Sequence, residues 1–238
     1  MPASPADTRG KVEGFGSNLN INSNLNSIAM YFVRVPKAAD LIFPRVCFHK
    51  SGAARTLYLT FDDAPSPATP QLLHLLSDAK VKATFFLIGK NIERYPSLAR
   101  EIAAAGHTLG NHSFSHPRGI SDDMFDTEVR RTESLIEAFA PSSHLFRFPY
   151  GKFHRAQPER LRQQGLAAVM WSLMPGDFDT TVNTARLSRR LERATAGDII
   201  VLHDGVNTID KLQTVLPRFI AAAQTNGFAF SLLPAHFP

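Results

Sequence analysis

"TLYLTFDDAPSPATPQLLHLLSDAKVKATFFLI", residues 56–88, holds a strand, a helix and a second strand in succession. "TLYLTF" (56–61) is a short apolar run rich in β-formers. Pro65, Pro67 and Pro70 punctuate the turn that follows. "PQLLHLLSDA" (70–79) spaces its leucines as a helix does, and "ATFFLI" (83–88) is again a strand. The first apolar run ends in Asp62 and Asp63, two like charges side by side.

The same alternation continues along the chain. Strands are expected at 107–111, 144–148, 167–173, 198–203 and 228–233, seven in all. Helices are expected in "YPSLAREIAAAG", stopped by Gly106, and over 121–140 from a cap candidate at Ser121. Further helices are expected over 157–165, 183–197 and 208–227, the last bent at Pro217. Alternating strands and helices imply an α/β fold with a parallel sheet covered by helices. Two closures are open at this point, a barrel and a doubly wound sheet. No Gly-x-Gly-x-x-Gly follows a strand, so the nucleotide-binding form of the second has no support.

Composition narrows the rest. The 238 residues are 44% hydrophobic, enough for one sizeable core. The net charge of +5 is scattered, with no block of like charges, which argues against nucleic-acid binding. Cys47 is the only cysteine, so neither an intrachain disulfide nor a cysteine zinc cluster can form. No apolar run reaches the roughly 20 residues of a membrane span. Residues 1–30, rich in Ser, Asn, Pro and Gly, are expected to be a flexible tail; a second start at Met30 and a cloning remnant are the two alternatives for its origin. They show no secretory signal, which favours a cytoplasmic location; a secreted or cell-wall location follows if a signal was removed. Residues 31–55 are expected to pack on the outside or bottom of the barrel, ahead of a catalytic domain over 56–238. Oligomeric state is not legible.

The chemistry lies in what falls at the strand ends. Asp62 and Asp63 follow the first strand, His112 and His116 the third, and Arg147 lies in the fourth. Trp171 lies in the fifth, Asp177 lies beyond it, and His203 ends the sixth. In parallel α/β barrels the active site occupies this rim. Each residue has a bland reading as a cap, turn or surface group; their convergence is the signal. His112 and His116, four apart, share one side of a helical turn and can reach one ion. Two histidines and a carboxylate make a catalytic zinc pattern, with cobalt or nickel as substitutes. Successive side chains diverge, so one aspartate of the pair can bind the metal while the other faces water acidified by it, toward a pKa of about 7. His203 is a candidate acid, and Asp177 can hold it protonated. Arg147 can pair with the base, and the turn "PYG" offers N–H groups to an oxyanion.

"TFDDAPSP", "HSFSH", "RFPYG", "WSLMPGDFD" and "IIVLHD", in this order, resemble the five motifs of the polysaccharide deacetylase family, the NodB-homology domain or carbohydrate esterase family 4. The resemblance spans about residues 55 to 233. It implies a distorted (β/α)7 barrel and metal-dependent removal of acetyl groups from carbohydrate. It implies Asp62 as base, Asp63, His112 and His116 as metal ligands, and His203 as acid. It also implies that Arg147 orients the base, that Asp177 tunes the acid and that the Tyr150 N–H stabilises the oxyanion. Phe148, Tyr150, Trp171 and Phe178 are candidates for the sugar-binding wall, and Val201 and Leu202 for the acetyl-methyl pocket. Ala64 stands where the family usually has Gly, and Met174 and Phe178 stand where it usually has Asp and Trp. The expected substrate is an N-acetylglucosamine glycan of the chitin or peptidoglycan type. The alternatives are a small or lipid-linked amido sugar carrying an acetyl or formyl group, an O-acetylated xylan, and a non-catalytic carbohydrate-binding barrel.

Overall fold

Alternation along the first long strand sorts its side chains into two apolar sets. Leu57, Leu59 and Phe61 pack outward with Leu72 and Leu76 of the following helix. Tyr58 points the other way and joins Phe86, Leu145, Val169 and Ile199 inside the curled sheet. Both faces are therefore buried, which is why this strand reads as a continuous apolar run.

The structure is a computed structural model and describes residues 32–50 and 54–234. The expected tail over 1–30 lies outside the described residues. In chain order the elements are α1 (Ala38–Ile42), β1 (Val46–Cys47), β2 (Thr56–Ala64), α2 (Thr69–Asp78), β3 (Thr84–Leu87), α3 (Gly89–Arg94), α4 (Pro96–Ala104) and β4 (Thr108–Asn111). They continue with α5 (Phe125–Glu137), β5 (Leu145–Phe146), a 3-10 turn at Pro149–Gly151, α6 (Gln157–Gln163), β6 (Ala167–Val169), α7 (Thr184–Leu191), β7 (Ile199–His203), α8 (Ile209–Thr225) and β8 (Ala229–Phe230). The strands lie in the order β1-β6-β5-β4-β3-β2-β7, with β8 paired to the start of β2. Every ladder between them is parallel. Beyond β6, Leu173 bridges to Ile200 of β7, so the sheet curls until its two sides meet. This is the distorted barrel that the sequence resemblance implies.

Three differences from the sequence reading have physical causes. The seventh strand along the sheet is β1, whose two residues are too short to show a period; the run at 228–233 supplies only the two-residue β8. Helix α5 starts at Phe125, because residues after Ser121 form a turn in which Met124 N–H donates to the Ser121 carbonyl. Strand β2 runs three residues past Phe61 and shifts register between Phe61 and Ala64, which is a β-bulge. Gly197 turns the chain into β7 at φ 84°, and a Cβ there would lie 2.3 Å from the Lys50 carbonyl oxygen. Only glycine meets both demands.

Candidate active site

The bulge in β2 decides how the two aspartates are used. In a straight strand, neighbours point to opposite faces. Here Asp62 pairs in register with His203 of β7, and Asp63 adopts φ 69° in the left-handed region. Both carboxylates thereby reach the same rim, and their divergence is that of a turn. Ala64 is not among the left-handed residues, so the position where the family usually has Gly makes no demand alanine cannot meet.

The two histidines converge without a helix. Residues 112–116 form a bent loop after β4, with Ser113 at φ 65° and His116 at φ 53°. The expected helical turn is therefore replaced by a tight loop, and the rings end 4.9 Å apart. Non-glycine residues in this region cost about 1 kcal/mol or more each. Asp63, Ser113, His116 and Tyr150 all bear that cost at one rim. Such strain persists where surrounding contacts impose it.

Donor atoms of Asp63, His112 and His116 lie within 4.8 Å of one another. Asp63 Oδ1 is 3.3 Å from His116 Nε2 and 3.7 Å from His112 Nε2. That oxygen is buried and has no hydrogen-bond partner, a costly state for an acceptor unless a cation takes it. His112 Nδ1–H donates to the Arg147 carbonyl at 2.8 Å, which turns the Nε2 lone pair toward Asp63. Burial and the neighbouring His112 push the His116 imidazole down to about 4, against the pull of Asp63 and Asp62, so it is neutral at pH 7. A neutral imidazole is what a metal requires. The donor set fits a divalent ion of the zinc type.

Asp62 sits beside this cluster with its second oxygen 3.8 Å from His112 Nε2. Its first oxygen accepts from Arg147 Nη1 at 2.7 Å. Burial alone would raise the carboxyl, but the charges of Arg147, His112 and His203 and the Arg147 hydrogen bond hold it below the usual range. Arg147 is wholly buried and fully engaged. Nε donates to the Val169 carbonyl, Nη2 to the Met170 carbonyl, and Nη1 also to Thr60 Oγ1. Its guanidinium lies 4.0 Å from the Phe86 ring centroid.

On the far side, His203 Nδ1–H donates to Asp177 Oδ1 at 3.1 Å, and the His203 backbone N–H donates to Asp177 Oδ2 at 2.7 Å. Burial disfavours the imidazolium, but Asp177, by charge and hydrogen bond, overcomes this and lifts the ring to about 9. The ring is therefore a proton donor at neutral pH.

Aromatic walls flank both ends. Tyr150, half exposed, lies 4.6 Å from the His116 ring, and Phe178, 37% exposed, lies 4.9 Å edge-on to His203. Trp171 is partly buried behind the Pro149–Gly151 turn, where a Cβ on Gly151 would come within 3.0 Å of it. Phe148 does not belong to this wall. It is fully buried, stacked on Phe125 and edge-on to Phe146, because its extended backbone gives it the parity of Phe146, opposite the inward Arg147. Leu202 is likewise excluded: strand alternation places it opposite His203, in the outer cluster with Leu72 and Leu212. Val201 shares the inward parity of His203 and is fully buried one step below it.

Sequence reasoning missed the residues that hold the loops. Glu128 of α5 is buried and accepts from the loop N–H groups of Phe114 and Ser115. Its signal was available: with Phe125, Val129, Thr132 and Ile136 it occupies the apolar stripe of α5, where a carboxylate needs a reason. Asp204 accepts from the hydroxyls of Ser66 and Thr69, tying the loop after β2 to the end of β7.

Comparison with known proteins gives the class. Residues 49–169 match the family model described as Polysaccharide deacetylase. A chitooligosaccharide deacetylase of Rhizobium leguminosarum bv. trifolii is 31% identical over 207 residues, 79% of this chain and 95% of that one. A peptidoglycan-N-acetylglucosamine deacetylase of Bacillus cereus is 32% identical, covering 74% of this chain and 85% of that one. Among solved structures, a peptidoglycan N-acetylglucosamine deacetylase superposes with a TM-score of 0.77 at 28% identity, over 85% of this chain and 97% of that one. The chain belongs to the polysaccharide deacetylase family. It is a carbohydrate deacetylase, a hydrolase of the carbon–nitrogen class.

Proposed function

We propose that the protein is a metal-dependent deacetylase that removes the N-acetyl group of N-acetylglucosamine units in a chitin-oligomer or peptidoglycan-type glycan. The buried, unpartnered Asp63 Oδ1, 3.7 Å from His112 Nε2 and 3.3 Å from His116 Nε2, carries this reading. Asp63, His112 and His116 hold the ion, zinc first, with cobalt or nickel able to replace it. When bound, such an ion polarises an amide carbonyl and acidifies water.

The chain's own residues do the rest. Asp62, kept ionised by Arg147, accepts a proton from the attacking water as its oxygen bonds to the acetyl carbon. The backbone N–H of Tyr150 serves the developing oxyanion. As the carbon–nitrogen bond breaks, His203 gives its proton to the departing amine, and acetate remains. Tyr150 and Phe178 supply faces against which sugar rings pack. The similarity to deacetylases whose names specify chitooligosaccharide and peptidoglycan N-acetylglucosamine supports the substrate class.

The test is acetate release by zinc-loaded protein from N-acetylglucosamine oligomers, peptidoglycan fragments and acetylated xylan. Release from the first two that stops on chelation is expected. Release from xylan alone would replace the N-acetyl reading with an ester one.

A further inference from the structure

The loop between the two histidine ligands has no regular structure, yet each of its backbone N–H groups has an acceptor. His112 N–H donates to the Leu87 carbonyl, and Ser113 N–H to Asn111 Oδ1. His116 N–H donates to Ser113 Oγ. Phe114 and Ser115 both donate to a single oxygen, Glu128 Oε2, at 2.9 and 2.7 Å. The other oxygen of Glu128 accepts from the Ser115 hydroxyl at 2.7 Å. One buried carboxylate therefore takes three donors from the middle of the loop. It does the work that helical carbonyls would do if the spacing of four came from a helix.

The geometry points to Glu128 as the positioning residue that sets the distance between His112 and His116, and so sets the affinity and coordination geometry of the ion they hold. This rests on the metal reading above. The strain of the loop gives it force. Ser113 and His116 sit at positive φ, and neither conformation holds itself. The other anchor, Asn111, donates to Glu133 and to the Val129 carbonyl, so both fastenings run to one helix, α5. Without Glu128, two adjacent N–H groups, one buried and one partly buried, lose their acceptor, and the loop must turn them elsewhere. That rotation displaces the His116 ring relative to His112. Glutamine can keep the arrangement: its carbonyl accepts the two N–H groups, and its amide donates to the Ser115 hydroxyl, which can accept. Aspartate keeps the charge but falls short by one methylene.

The experiment titrates cobalt into the apo full-length protein, wild type and Glu128→Gln, Glu128→Asp and Glu128→Ala, and records affinity and the visible cobalt spectrum alongside apoprotein Tm. Outer partners of ligands typically change metal affinity by about 10–100-fold. A loss of that size with an altered spectrum is expected for Ala and Asp, with Gln close to wild type. A role confined to stability would lower Tm and leave cobalt affinity and spectrum unchanged, and would overturn the inference. If Ala does not fold, Asp decides by the same criterion. If the wild type binds no cobalt, the metal reading itself fails; if it binds and the variants bind equally, only the role of Glu128 fails.

Discussion

Two arginine–aspartate pairs, one wholly buried and one with a part-exposed arginine, stand near opposite ends of β7. Beside its last residue, Arg147 contacts Asp62 through one nitrogen and one oxygen at 2.7 Å. At its foot, Arg34 grips Asp198 through two nitrogens, each at 3.0 Å. Asp198 also accepts from Ser172 Oγ and from the N–H and hydroxyl of Thr195, so its lone pairs are spoken for. Asp62 is held by one oxygen, and the other faces the histidine cluster. The same ion-pair chemistry makes a staple in one place and a reactive group in the other. What differs is how many acceptor sites the surroundings leave open.

Four variants would break or sharpen that contrast. Asp62→Asn keeps the shape and removes the base, so kcat should fall by about 10²–10⁴-fold while the fold survives, read by acetate release and circular dichroism. A near-normal rate would strip Asp62 of its role. Arg147→Met strands a buried carboxylate and should cost about 3–5 kcal/mol in urea denaturation; adding Asp62→Asn should recover part of that loss. No recovery would mean that packing, not the stranded charge, dominates.

Asp198→Asn should cost about 1–3 kcal/mol and leave kcat unaltered. Asp198 is held low: burial raises it, but Arg34, the Thr195 N–H and the Ser172 hydroxyl outweigh burial. Its stabilisation is thus complete above the ordinary carboxylate value of about 4 and is lost as pH falls toward the lowered folded value. The variant should show less acid-induced loss of stability than the wild type over that window. The smallest effect is a displacement on the pH axis. His203 at about 9 keeps its proton through neutrality, so kcat should decline above that value. Asp177→Asn removes the strongest forces opposing burial and leaves only the charges of Asp63 and Asp62 against it, so the alkaline limb should move to lower pH. A limb that stays in place would detach His203 from the acid role.

The contrast also marks what the sequence could disclose. The order of strands and helices was legible because β2, β3 and β7 are buried on both faces and show as unbroken apolar runs. The rim residues were legible because each lies in, at the end of or shortly beyond an expected strand. The bulge was not, since nothing in "TFDDAP" distinguishes a straight strand end from a register shift. Phe148 was misplaced because its parity was not followed: it shares the face of Phe146, across the extended backbone from the inward Arg147. Leu202 was a misreading of parity: it lies between two inward residues and had to face out. Glu128 was hidden for the opposite reason, as one charged residue among many on a helix whose buried stripe had to be traced to notice it.

The register of β2 against β7 has a consequence for the order in which the molecule becomes competent. Asp63, His112 and His116 all precede α5, whereas Asp62 meets His203 only when β7 pairs with β2. During synthesis the proposed metal ligands emerge well before the proposed proton donor, His203. On the proposed roles, metal uptake requires assembly as far as α5 and Arg147, and turnover requires that β7 has docked as well. A wild-type chain whose β7 has not paired with β2 is expected to bind metal and release no acetate.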